Sequence, residues 1–194
     1  MTTVVVVKKN GQVAIAADTL VTFGDTKLGP RFEANSKIVM IDTLVGPTYI
    51  GAAGTVAHFP VLRRALNSLS LEQRLLGSKD EVFDTFTRLH PLLKEHFFLQ
   101  TKEDDNDPYE SSQFSVLVAN ATGIYGLYSY REVFEFKEFW GIGSGRSFAL
   151  GAMQAVWVKA KTAKEVAVAG ITSGCEFDKS SGLPADVYTV KLKI

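Results

Sequence analysis

Two apolar runs open the chain, Val4-Val5-Val6-Val7 and Val13-Ala14-Ile15-Ala16-Ala17, separated by Lys8-Lys9-Asn10-Gly11. Asn-Gly accepts the positive φ angles of a two-residue turn, so this stretch predicts a β-hairpin with its second strand continuing through Thr19 to Val21. The hairpin begins at the head of the chain, and the reading expects no signal peptide or linker before it. Turn residues from Thr22 to Pro30 then break the pattern. Lys37 to Ile41 and Thr48 to Ile50 predict a second strand pair, closed by Gly51-Ala52-Ala53-Gly54. Strands apolar on successive residues, and not merely on alternate ones, are those of a sheet covered on both faces.

The period then changes. Leu62, Leu66 and Leu69 mark one face of a helix starting at Thr55 or Pro60. Ser78-Lys79-Asp80-Glu81 is a capping box opening a second helix, with Val82, Phe83, Phe86, Leu89, Leu93 and Phe97 at helical spacing and a kink expected at Pro91. The acidic stretch from Thr101 to Pro108 lacks the glycine and distal glutamate of a calcium loop and reads as a solvated, mobile loop. Strands are predicted again over Gln113 to Ala119, Gly123 to Tyr130, Val133 to Phe136 and Trp140 to Ile142. Gly143-Ser144-Gly145 leads into a third helix whose expected face is Phe148, Ala149, Ala152, Met153, Val156 and Trp157. Thr162 and Glu165 form another capping box for a fourth helix, and Asp186 to Leu192 closes the chain as a strand. Each sheet needs a cover for each face. The order strands, two helices, strands, two helices, strand therefore predicts an α+β, four-layer αββα sandwich of two antiparallel sheets, with residues 1–194 as one domain.

Composition narrows the function. Acidic and basic residues balance at 21 each, which lacks the basic surplus of a nucleic-acid binder. No apolar run reaches membrane-spanning length. One cysteine, Cys175, forms no internal disulfide, and a cytoplasmic location is expected. His58, His90 and His96 are too scattered for a compact His/Cys metal site. Gly141-Ile142-Gly143-Ser144-Gly145 lacks the lysine of a phosphate loop and reads as close access to a helix start.

The second residue carries the chemistry. Methionine removal is favoured ahead of a small residue, and loss of Met1 would leave Thr2 with a hydroxyl nucleophile and a free α-amine on one residue. A threonine in second place also simply suits a strand, so Thr2 alone decides little.

Thr2-Thr3, Lys9-Asn10-Gly11, Ala16-Ala17-Asp18, Lys37, Gly51-Ala52-Ala53-Gly54 and Gly141 to Gly145 stand in one order and spacing. In this the chain resembles the proteasome β-subunit family of N-terminal-nucleophile threonine peptidases, nearly end to end. The first half looks most like the bacterial ring peptidase that works with a heat-shock ATPase. Asp178 to Gly182 followed by Asp186-Val187 fits the true proteasome form, so the mixture resembles a divergent bacterial proteasome homologue.

The resemblance implies the N-terminal-nucleophile hydrolase fold and a threonine endopeptidase. It makes Thr2 the nucleophile, Lys37 the ammonium that depresses the pKa of the terminal amine, and Asp18 the partner of Lys37. Gly51 becomes the oxyanion donor through its backbone N–H, and Ser144, Asp178 and Ser181 the shell around the amine. Read without it, Asp18 and Lys37 are an ordinary ion pair, Ser144 a helix N-cap and Asp178 a turn residue. Val21, Tyr49 and Ala53 fall where the family lines its first side-chain pocket. No cofactor is required, although backbone carbonyls of Cys175, Asp178 and Ser181 match positions where relatives hold a structural monovalent or divalent cation. The implied assembly is a homo-oligomer of stacked rings, fed unfolded polypeptide by an ATP-dependent unfoldase. The alternatives are a catalytically silent ring subunit and a small-molecule amide hydrolase.

Overall fold

The computed structural model describes residues 2–33, 35–102, 104 and 106–193. Its strands and helices follow in the order β1 Thr3–Lys9, β2 Gln12–Asp18, β3 Val21–Phe23, β4 Thr26–Leu28, β5 Ile38–Thr43, β6 Gly46–Ala53, α1 His58–Ser68 and α2 Lys79–His96. There follow β7 Ser115–Asn120, β8 Gly123–Leu127, β9 Val133–Phe136, β10 Phe139–Gly143, α3 Arg146–Val156, α4 Ala163–Phe177 and β11 Ala185–Lys191. One antiparallel sheet has the order β10-β1-β2-β11 and the other β5-β6-β7-β8-β9. α3 and α4 cover the first and α1 and α2 the second, giving the expected αββα sandwich.

The unbroken apolar run of β1 now has a cause. Val4 and Val6 face the second sheet, packing with Ile15, Ile38, Leu117 and Ile124. Val5 and Val7 face the helices, packing with Ala149, Met153, Val166 and Ile171. Alternate side chains of a strand point to opposite faces, so a strand covered on both must be apolar throughout. Each large aliphatic side chain buried this way contributes about 1.5–3 kcal/mol. A third core joins Ile50, Val116 and Val118 of the second sheet to Leu62, Leu66, Phe86 and Leu89 of its helices.

Local signals place the element starts. Asn10 and Gly11 take φ of 50° and 72° at the tip of the first hairpin. Glu81 N–H donates to Ser78 Oγ at 3.2 Å, and the Glu81 carboxylate reaches back to Gly77 N–H at 2.7 Å. Glu165 repeats this with Thr162 Oγ1 and Lys161 N–H. Lys9 places its ammonium 4.0 Å from the centre of the Trp157 ring and donates to the Trp157 carbonyl at 2.8 Å, tying the hairpin to the end of α3.

Three expectations change. β2 does not run on to Val21: the Asp18 carboxylate accepts the Leu20 N–H at 3.1 Å, and this Asx turn ends the strand. Val21 to Phe23 instead pairs with Thr26 to Leu28 across Gly24, in the stretch read as turn. Phe148 and Phe83 are 44% and 45% exposed rather than core, because each sits on the flank of its helix beside the buried stripe. The acidic stretch read as mobile includes Glu103 and Asp105, which lie outside the described residues.

Candidate active site

At the open end of the first sheet, the start of β1 lies between β2 and β10. Thr3 is in register with Gly143, which sets Thr2 beside Ser144, and Val4 is in register with Ala17, which sets Thr3 beside Asp18. The adjacent threonines diverge by strand parity. Thr3 shares the face of Val5 and Val7, where its hydroxyl lies 2.7 Å from Ser181 Oγ. Its side chain fills the space left by Gly145 and Gly174, since a Cβ at either would collide with it. Thr2 shares the face of Val4 and Val6, toward the second sheet from which Lys37 comes. Thr3 is thus built into the wall, and strand parity assigns Thr2, one residue before β1, to the opposite face.

Lys37, at the start of β5, crosses between the sheets and donates to both carboxylate oxygens of Asp18 at 2.9 Å. The two side chains are 3% and 0% exposed. Asp18 Oδ1 also accepts the Thr3 N–H at 3.0 Å, while Oδ2 accepts those of Leu20 and Gly182. Burial pushes the Asp18 carboxyl up and the Lys37 ammonium down, and their mutual attraction with these hydrogen bonds opposes both shifts. A carboxylate met by an ammonium and three N–H groups stays charged, so the pair persists as an ion pair.

On the other side, Ser144 Oγ and Ser181 Oγ each donate to Asp178 Oδ2 at 2.6 Å. Ser144 Oγ also lies 3.5 Å from the Thr2 carbonyl. Ser144 is not the cap of α3, because Gly145 holds that place with no side-chain bond. Gly143, at φ 89°, passes so close to the Thr2 carbonyl that a Cβ there would collide with it. These contacts bring Asp18, Lys37, Ser144, Asp178 and Ser181 together around the Thr2-Thr3 start of β1.

Gly51 lies in β6, between Ile38 and Leu117. A Cβ there would stand 2.5 Å from Val4 Cγ1 and 3.3 Å from Ile15 Cδ1. Its bareness serves the contact between sheets, and the oxyanion role expected of its N–H does not fit: the Ala52 N–H goes to the Lys37 carbonyl at 3.3 Å, so strand alternation turns the Gly51 N–H into the ladder with Leu117 of β7.

A family model, that of the proteasome subunit, matches residues 1–190. The chain belongs to the proteasome subunit family. The proteasome subunit beta of Nanoarchaeum equitans (strain Kin4-M) is 24% identical over 198 residues, covering 100% of this chain and 94% of that one. Thiobacillus denitrificans BPH, solved in complex with epoxomicin, is 34% identical, with a TM-score of 0.86 over 99% of this chain and 100% of that one. Eukaryotic HslV from Trypanosoma brucei shares the fold, at 22% identity and a TM-score of 0.66 over 97% of this chain and 99% of that one. The architecture is therefore that of proteasome and HslV-type proteases, a family of threonine peptidases.

A cavity of about 600 Å³ opens beside Lys37, walled among others by Val21, Ser36, Met40, Phe59 and Arg63. Of the three residues assigned to a first pocket, Val21 lines this cavity. Tyr49 and Ala53 are outside its wall, and the Tyr49 ring is stacked on Tyr188 at 4.8 Å. Cys175 sits in the last turn of α4, where burial first and the nearby Asp18 charge next push its thiol up to about 12. Among the described residues, no cluster of three or more His, Cys, Asp or Glu side chains suits a metal. A cation near Cys175, Asp178 and Ser181 would rely on backbone carbonyls, and that of Asp178 already accepts the Ser181 N–H at 3.0 Å.

Sequence reasoning did not find Thr3, Leu20 or Gly182 as site residues. Their contributions are backbone donors or a wall contact, which no side-chain motif announces. Only the period-2 rule applied to Thr2-Thr3 could have separated the two roles.

Proposed function

We propose that the chain is a threonine endopeptidase whose nucleophile is Thr2, exposed at the N-terminus by removal of Met1. The observation that carries this reading is the convergence of the Lys37–Asp18 pair and the Ser144–Asp178–Ser181 shell on the start of β1. Thr2 Oγ attacks the scissile carbonyl carbon while the Thr2 α-amine takes its proton. The Lys37 ammonium favours the neutral amine, whose reference pKa is about 8, and so keeps it basic near neutral pH. Collapse of the tetrahedral adduct passes the proton to the leaving amine and leaves an ester on Thr2. Water, deprotonated by the same amine, then releases the acid and restores the hydroxyl.

The substrate is unfolded polypeptide, enclosed in stacked rings of identical copies and delivered by an ATP-dependent unfoldase in the cytoplasm. Family membership supports the assembly, and the absence of a helix long and apolar enough to cross a membrane among the described residues accords with that setting. A cation on the carbonyls of Cys175, Asp178 and Ser181 is a structural accessory at most. The test joins intact mass, size and turnover on the purified protein. Loss of Met1, a ring-sized particle and peptide hydrolysis blocked by epoxomicin are expected. Quantitative retention of Met1, or hydrolysis indifferent to epoxomicin, would defeat the reading.

A further inference from the structure

Lys37 is held at its tip by Asp18, but its backbone emerges from a segment with little structure. Between β4 and β5 the described residues form one turn, in which the Gly29 carbonyl accepts the N–H of Phe32 and of Glu33. The last fixed point before Lys37 is Ser36. Its hydroxyl donates to Asp186 Oδ2 at 2.7 Å. Its oxygen also lies 3.0 Å from the Ile38 carbonyl and accepts the Ile38 N–H at 3.4 Å. Asp186 stands on β11 in register with Ala17, one residue before Asp18. Two residues on, Tyr188 stacks on Tyr49 of β6, so the same face of β11 joins the sheets at this edge.

We infer that Asp186 is a positioning residue which, through Ser36, fixes the backbone carrying Lys37 and thereby sets where the ammonium meets the Thr2 amine. The inference rests on the peptidase reading for its catalytic consequence, not for the clamp itself. Lys37 is thus anchored three times: β2 holds its tip through Asp18, β6 holds its carbonyl through the Ala52 N–H at 3.3 Å, and β11, the neighbour of β2, holds the preceding residue through Asp186 and Ser36. Asp18 on β2 and Cys175 and Asp178 at the end of α4 act on Lys37 through their charge. Asp186 meets the Lys37 segment as the hydrogen-bond acceptor of Ser36.

That distinction gives the test. Asp186→Ala and Ser36→Ala remove the bond, whereas Asp186→Asn keeps a carbonyl oxygen in its place. With the bond gone, Lys37 departs from its working position and the like-charge repulsion on the Thr2 amine weakens. The pKa of the amine then rises, and the amine is neutral only at higher pH. Both alanine variants are expected to lose about tenfold in kcat with KM unchanged, an amount in line with one charge-assisted hydrogen bond. The acid limb of their kcat profile should move to higher pH, and Asp186→Asn should behave as wild type in both respects. Unaltered kcat and acid limb in the alanine variants overturns the inference, as does an Asp186→Asn variant as impaired as Asp186→Ala.

Amide hydrogen exchange across residues 36–38 reads the clamp without turnover. Exchange about tenfold faster in Asp186→Ala, at unchanged global stability, supports it, and equal exchange refutes it. Wild-type protein that shows no activity dependent on Thr2 defeats the peptidase reading alone, and the exchange result still decides the clamp.

Discussion

Replacing Asp18 with Asn isolates the most demanding electrostatic feature of the molecule. Lys37 is 3% exposed, and Asp18 is its counter-charge. The asparagine amide keeps one oxygen for Lys37 and the Thr3 N–H, but its NH₂ would face the N–H groups of Leu20 and Gly182, which now donate to Oδ2. The folded variant must then bury an ammonium that has lost this counter-charge, or release its proton. Deprotonation sets the ceiling on that part of the penalty. From the ordinary lysine value of 10.5 down to pH 7 is roughly 3.5 units, at about 1.4 kcal/mol each, or about 5 kcal/mol. Breaking a buried pair costs about 3–5 kcal/mol in general, in agreement with that ceiling.

The folded lysine pKa in Asp18→Asn lies below the unfolded one, so the unfolded chain binds more protons, and stability must rise with pH. At pH 9 the same arithmetic leaves about 2 kcal/mol. Urea unfolding at the two pH values measures both quantities. The expected loss is about 3–5 kcal/mol at pH 7, clearly smaller at pH 9. Adding Lys37→Met removes the buried charge and should recover much of the stability, but no peptidase activity. A loss under about 1 kcal/mol, or one that does not shrink as the pH rises, would refute the reasoning.

Gly51→Ala should cost about 1–3 kcal/mol by overpacking against Val4, and Val4→Ala in the same chain should return part of it; thermal unfolding of the single and double variants checks this. Asp178→Ala removes the acceptor shared by the Ser144 and Ser181 hydroxyls, and kcat should fall on the order of 10²-fold with the fold intact by circular dichroism. The Cys175 thiol, pushed up to about 12, stays protonated at pH 8, so alkylation of native protein should be much slower than that of the urea-unfolded chain. Equal rates would show that the thiol is not buried beside Asp18.

What could be read from the sequence is what local chemistry dictates. Asn10-Gly11 specifies its turn within two residues, and the Ser78–Glu81 and Thr162–Glu165 boxes mark helix starts within four. The double-sided apolar runs of β1 and β2 announced covered sheets before any partner was known. The end of β2 was missed because a side chain, Asp18, turns the chain by capturing Leu20, against the strand propensity of Val21. The exposure of Phe148 and Phe83 was missed because a helical stripe has soft edges and its width is set by the neighbouring element. Within the site, the resemblance pointed to residues scattered from position 2 to position 181, and the structure brings Asp18, Lys37, Ser144, Asp178 and Ser181 together. The Ser36–Asp186 bond joins residues 150 positions apart and has no signature in either segment. The fit of Val4 against Gly51 is likewise a contact between sheets, which sequence alone reports only as two unremarkable residues.

The account turns on which of two adjacent threonines does the chemistry. Peptide hydrolysis by the processed wild type, Thr2→Ala and Thr3→Ser, with intact mass confirming the N-terminus of each, addresses it directly. Thr2→Ala should lose activity by on the order of 10³-fold or more, while Thr3→Ser, which keeps the hydroxyl beside Ser181, stays active. Thr2→Ala protein that hydrolyses peptide as well as wild type would contradict the account.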